Sequence, residues 1–139
     1  MQWPEEVAEK LGVALSGVSP ARLAEVETAL GGGLPSDLRE FLLIGDGGLI
    51  LAGRFVLLSA GDGICAEETL VVANSLLAPE HPILVIGRDA SDYFGFKKQD
   101  LTDNPGQACP VHFIFHETGE LDRVADSFRA FLEGLLKKP

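Results

Sequence analysis

Along the last thirty residues the apolar and polar positions follow two different rhythms. From residue 111 to 116 they alternate, with Val111, Phe113 and Phe115 on one side and His112, Ile114 and His116 on the other. That two-residue period predicts a half-buried strand with the histidines on its less buried face. After the turn-forming run Glu117-Thr118-Gly119-Glu120 the period changes. Leu121, Val124, Ala125, Phe128, Phe131, Leu132 and Leu135 recur at i, i+3, i+4 and i+7, which predicts one continuous amphipathic helix from residue 121 onward. Glu120, Asp122, Asp126 and Arg123 crowd its predicted start, and Lys137 and Lys138 its end, as a helix dipole prefers.

The first third of the chain is helical in pattern. Pro4-Glu5-Glu6 opens a short helix that runs to about Gly12, with proline and acids in its first turn. Ser19 caps a second helix with Pro20 at its first position; Leu23, Val26 and Leu30 line one face until Gly31-Gly32-Gly33 ends it. Leu34-Pro35-Ser36-Asp37 starts a third, which carries Leu38, Phe41 and Leu42 and stops at Gly45-Asp46-Gly47-Gly48. The middle then changes character. Residues 54–58 and the apolar run 83–87 read as strands, and residues 66–78 as a helix with Leu70, Ala73 and Leu77 facing inward. A polar turn at residues 88–92 leads to another strand over 93–98, and residues 100–107 are the most loop-like stretch. Helices flanking consecutive strands joined by short turns predict an α+β fold: a central, mostly antiparallel sheet flanked by N-terminal helices and a C-terminal amphipathic helix.

Size and charge narrow what such a fold does. At 139 residues, with 46% hydrophobic and 23% charged side chains, the chain suits a single globular domain over its whole length. Eleven basic against 21 acidic residues give a net charge of −10, which disfavours a phosphate-tracking nucleic-acid binder and favours a basic partner. The first residues lack the basic start and apolar run of a secretory signal, and no apolar stretch is long enough to span a membrane, so a cytoplasmic location is expected. Cys65 and Cys109 are too far apart for a metal knuckle and read as buried thiols.

Catalytic signatures do not assemble. His112 and His116 would share a helix face as zinc ligands do, but on a strand they stand about 13 Å apart. Cys109 and His112 point to opposite sides of an extended chain, and neither a nucleophile elbow nor a phosphate-binding loop occurs. No catalytic, cofactor-binding or metal-ligating residue is assigned. The acids remain. Asp89 and Asp92 flank one turn, Asp100 and Asp103 lie in the next loop, and Glu117 stands at the strand-to-helix turn. If these turns share one edge, they form an acidic rim suited to capturing an arginine- and lysine-rich protein. Solvated turn acids without a partner are the plain alternative, and a hard cation a third, although the spacing matches no calcium loop.

The order of the short motifs resembles the SUKH superfamily, the Smi/Knr-like domains. The resemblance rests on Leu-Gly-Gly-Gly-Leu-Pro-Ser-Asp-Leu-Arg-Glu-Phe-Leu-Leu at residues 30–43, then Gly45-Asp46-Gly47-Gly48. Ile86-Gly87-Arg88-Asp89, Pro110-Val111-His112-Phe113 and Ala125-Asp126-Ser127-Phe128-Arg129-Ala130-Phe131-Leu132 continue it. Asp46 departs from the asparagine commoner at that turn. The resemblance implies an α+β fold and a role in binding rather than catalysis. Many bacterial members look like immunity proteins that neutralise toxins, often nucleases, and fungal relatives act as interaction hubs. Together with the net acidity and the absent catalytic signatures it points to an immunity-type module that occludes a basic toxin domain, with a regulatory scaffold for housekeeping proteins as the alternative. A metal-assisted hydrolase built on the acidic rim is a third reading, from another class.

Overall fold

Proline and serine chemistry starts the first helices where the sequence predicts. The computed structural model describes residues 2–50, 55–61, 69–77, 79–89 and 92–137. Helix α1 (Trp3–Leu11) has Pro4, Glu5 and Glu6 in its opening turn. Helix α2 (Pro20–Leu30) begins where the Arg22 backbone N–H donates to Ser19 Oγ at 3.1 Å. Helix α3 (Ser36–Ile44) follows the glycine run, across which the Glu27 carboxylate accepts the Leu34 N–H at 2.7 Å. Two short strands come next, β1 (Gly48–Ile50) and β2 (Phe55–Leu57), then helix α4 (Leu70–Ser75). Strands β3 (Ile83–Asp89) and β4 (Asp92–Lys97) lead into helix α5 (Lys98–Asp103). Strands β5 (Val111–Ile114) and β6 (Leu121–Ala125) and helix α6 (Phe128–Lys137) complete the described elements.

The six described strands form one antiparallel sheet in the order β1-β2-β3-β4-β5-β6, each paired with its neighbour in sequence. This is the α+β architecture expected. One face is sealed by aromatic rings. Phe94 on β4 meets Phe113 on β5 at 5.5 Å and Phe131 on α6 at 4.8 Å, while Phe41 on α3 packs edge-on to Phe128 at 5.6 Å. Helices α3 and α6 are thereby fixed to the Phe94 face, and α1 packs against both. Gly87 keeps that face flat, because a Cβ there would strike the Phe94 ring.

Four sequence expectations need correction. Residues 121–125 are a strand, and the closing helix starts seven residues later than predicted, at Phe128. The hairpin before it explains why. Gly119, at φ +74, donates its N–H to the Phe115 carbonyl, and the Phe115 N–H donates to Glu120, which folds Leu121 back along β5. Ser127 then caps the true helix, its Oγ accepting the Ala130 N–H at 3.1 Å. Residues 98–103 form helix α5, where a loop was expected from residue 100. Residues 88 and 89 extend β3, and Asp92 begins β4, so the polar turn is shorter than predicted. His112 is buried, not half-exposed. Strand β1 had no sequence expectation. The predicted 66–78 helix is seen as α4; residues 66–68 and 78, like Arg54, Cys65 and Lys138, lie outside the described residues.

Asp46, the departure from the family pattern, has a structural role. Its Oδ1 accepts the Ala60 N–H at 2.7 Å, its Oδ2 accepts the Gly61 N–H at 3.0 Å, and Arg22 Nε holds the Ala60 carbonyl from the other side.

Candidate functional site

Register decides which of the predicted acids meet. Strand β4 runs back along β3 and forward against β5, so the 89–92 end of the β3–β4 pair lies beside the start of the β5–β6 connection. Asp89 and Asp92 are directly paired there. Asp92 Oδ1 accepts the His116 backbone N–H at 3.0 Å and lies 2.7 Å from His116 Nδ1. His116 Nε2 in turn stands 3.9 Å from Glu117 Oε1. Asp89, Asp92 and Glu117 therefore gather at one end of the sheet with a histidine among them. His116, as side chain and backbone donor, holds the Asp92 carboxyl below its ordinary range.

Asp100 and Asp103 stand at the opposite end. They belong to α5, which follows the last residue of β4, roughly 17 Å away along a six-residue strand. Asp103 Oδ1 accepts from the Gln99 side chain at 3.0 Å. The five acids thus form two groups on opposite ends of the sheet and not one continuous rim.

The two histidines part company as a strand requires. His116 has its side chain half in solvent beyond the end of β5, whereas His112 is 6% exposed and sits between Gly95 on β4 and Arg123 on β6. Burial, and next the Lys97 ammonium, push the His112 ring below the ordinary histidine range, with Asp100 pulling the other way. Its Nδ1 is buried and has no hydrogen-bond partner among the described residues. Sequence reasoning missed this group because alternation assigns a face and not how deeply that face is covered. Cys109 is a buried free thiol whose Sγ lies 3.4 Å from the Gln107 carbonyl. Burial raises its pKa, with Asp100 and Asp37 adding to the rise, so it stays protonated.

Among the described residues no group of three or more histidine, cysteine or acidic side chains has metal-binding geometry, and no helix is long and apolar enough to cross a membrane. An open groove of about 440 Å³ lies between the Gly31–Gly33 loop and α5, with Leu30, Leu84 and Leu101 in its walls and Lys98 as its charged side chain. Tyr93 and Trp3 are partly buried and Phe94 fully so. Trp3 packs on Phe41, donates to Glu40 at 2.9 Å and carries the Arg129 guanidinium 5.2 Å above its ring.

A single carboxylate joins the two most distinctive stretches of sequence. Asp37, in the first turn of α3, accepts the Leu38 N–H on Oδ1 and, 92 residues away in sequence, the Arg129 N–H on Oδ2, each at 3.0 Å. One buried acid thus serves two helix N-termini, where free N–H groups and the helix dipole both favour a negative charge. The blocks at residues 30–43 and 125–132 meet at this bond. Among curated proteins none matches the chain. A family model does match, across residues 17–134 and hence most of the chain, and it covers both blocks. The chain belongs to the SMI1 / KNR4 family (SUKH-1).

Proposed function

We propose that this chain is an immunity-type binding module that neutralises a basic bacterial toxin domain, with nucleases among the candidates, by stoichiometric contact. It works by occlusion and carries out no reaction. Membership of the family and a net charge of −10 support the reading. The observation that carries it is the convergence of Asp89, Asp92 and Glu117 at one end of the sheet, with the 2.7 Å contact between Asp92 and His116 tying the two turns together. Asp89 and Asp92, held on paired strand ends, lose little entropy on docking, and with the exposed Glu117 they raise the rate of encounter with a cationic surface.

The test is to search the neighbouring reading frames for a toxin domain, purify the chain with the domain so found and measure complex formation by size exclusion, together with protection of toxin-expressing cells; neighbouring frames that encode no toxin count against the reading. A one-to-one complex whose association slows as salt is added, with protection lost on deletion of the chain, is the expected result. Deletion without any gain in toxin sensitivity, together with capture of defined housekeeping partners, overturns it in favour of a regulatory scaffold.

A further inference from the structure

The strand-borne charges are sorted by face. Tyr93 on β4 pairs with Ile114 on β5, which pairs with Leu121 on β6, while Gly95, His112 and Arg123 form the adjacent row. Residues directly opposite in an antiparallel sheet share a face, as do alternate residues along a strand. Arg88, paired with Tyr93, and Lys97, four residues along β4 from it, therefore lie on that same face. The described strand acids lie on the other. Asp89 pairs with Phe55 and with Asp92, and Asp122 with Phe113, all on the face sealed by the Phe94 cluster.

Toward β3 this face is covered, Ile83 and Val85 being 0% and 1% exposed, and only its part over β4 to β6 keeps surface in solvent. Tyr93, Lys97, Ile114 and Leu121 are partly exposed and the Arg123 side chain is 56% exposed. Arg88 is engaged within the molecule and contributes its field. Arg123 holds Asp126 at 2.7 Å, an exposed pair of the kind that solvent weakens and a competing carboxylate can replace. His112 lies beneath these side chains, buried, its Nδ1 without a hydrogen-bond partner among the described residues.

We propose that the β4–β6 part of this sheet face, lined by Tyr93, Lys97, Ile114, Leu121 and Arg123, is a second docking surface, and that it takes an acidic protein segment whose carboxylates alternate with aliphatic side chains. Carboxylates meet Lys97 and Arg123, and aliphatic groups cover Ile114, Leu121 and the Tyr93 ring. The net charge of −10 opposes any polyanion globally, so capture must come from this local field and from apolar contact. A single-stranded nucleic acid brings far more charge per unit length and less aliphatic surface, and fits the site less well. The surface is separate from the acidic sheet end and stands whether or not a toxin is the partner there.

The test uses isotope-labelled protein and three probes: a short peptide of alternating glutamate and leucine, its lysine–leucine counterpart, and an oligothymidylate. Amide shifts confined to β4, β5 and β6 on adding the glutamate peptide are the expected result, with affinity falling about tenfold or more in Lys97→Glu/Arg123→Glu. The milder Lys97→Gln/Arg123→Gln pair, which perturbs folding less, is expected to lose a few-fold. Absence of binding at millimolar peptide, shifts centred elsewhere, or affinity unchanged in both variants overturns the proposal. Tighter binding of the lysine peptide at this face overturns it too, and tighter binding of the oligothymidylate makes the face a nucleic-acid surface instead.

Discussion

Asp37 does at the residue scale what two separate caps do in most proteins. Its oxygens accept one N–H in α3 and one in α6, so removing the side chain leaves the first turn of α6 with an unmet donor and unties two elements distant in sequence. Losing an N-terminal capping oxygen costs about 1 kcal/mol, and here the acceptor is charged and buried, so Asp37→Ala is expected to lower unfolding stability by about 2 kcal/mol in urea titration. Asp37→Asn keeps an acceptor oxygen and should lose less. His112 and Asp92 give the molecule two separate acid sensitivities. Both have pKa values depressed in the folded state, so the unfolded chain binds protons first, and stability is held above the unfolded pKa and lost as pH falls through the folded one. For His112 the loss begins below about 6.5 and for Asp92 below about 3.9. Urea midpoints measured from pH 8 to 3 should show both declines. His112→Phe is expected to abolish the upper one and Asp92→Asn to flatten the lower.

At the scale of elements the β5–β6 hairpin is the decisive unit, because it supplies the edge strand and sets where α6 begins. Gly119 holds a left-handed backbone at its tip, so Gly119→Ala is expected to cost about 1 kcal/mol and Ser127→Ala about as much, the first by straining the turn and the second by uncapping α6. Paired urea titrations of the two variants check both. This hairpin also marks the limit of what could be seen in the sequence. The helix starts at Pro4 and Pro20, the strands over 83–87 and 93–97, and the apolar stripe Phe128, Phe131, Leu132 and Leu135 were legible because each is set by local chemistry or by a single period. Leu121, Val124 and Ala125 continue the helical stripe, yet Leu121 and Ala125 pair with Ile114 and Val111 on β5, and the bulge that leaves Val124 without a partner in the register lets a strand carry the same apolar spacing. Long-range pairing overrode the local period. In α5 the error ran the other way. Its polar sequence reads as loop, but Gln99–Asp103 and Thr102–Lys98 contacts at i, i+4 close a short helix against β4. The acids of the candidate site were all visible as residues. Their grouping was not, because it depends on which strand ends coincide.

For the molecule as a whole, this grouping turns ionic strength into a probe of which end meets a basic partner. Asp89, Asp92 and Glu117 stand at one end of the sheet and Asp100 and Asp103 at the other, separated by roughly 17 Å. The screening length is about 30 Å at 0.01 M salt and about 8 Å at 0.15 M. At low salt an approaching cationic protein feels both groups, and neutralising either pair should slow its capture. At physiological salt the distant group is screened out, and only acids within about one screening length of the contact still matter. Stopped-flow association with the basic partner, for Asp89→Asn/Glu117→Gln and for Asp100→Asn/Asp103→Asn, separates the two. Both variants are expected to reduce the association rate several-fold at 0.01 M. At 0.15 M the first is expected to keep its deficit and the second to return to the parent rate. The reverse order would move the contact to α5, and equal rates for all three proteins at both salt concentrations would remove these acids from the capture of the partner.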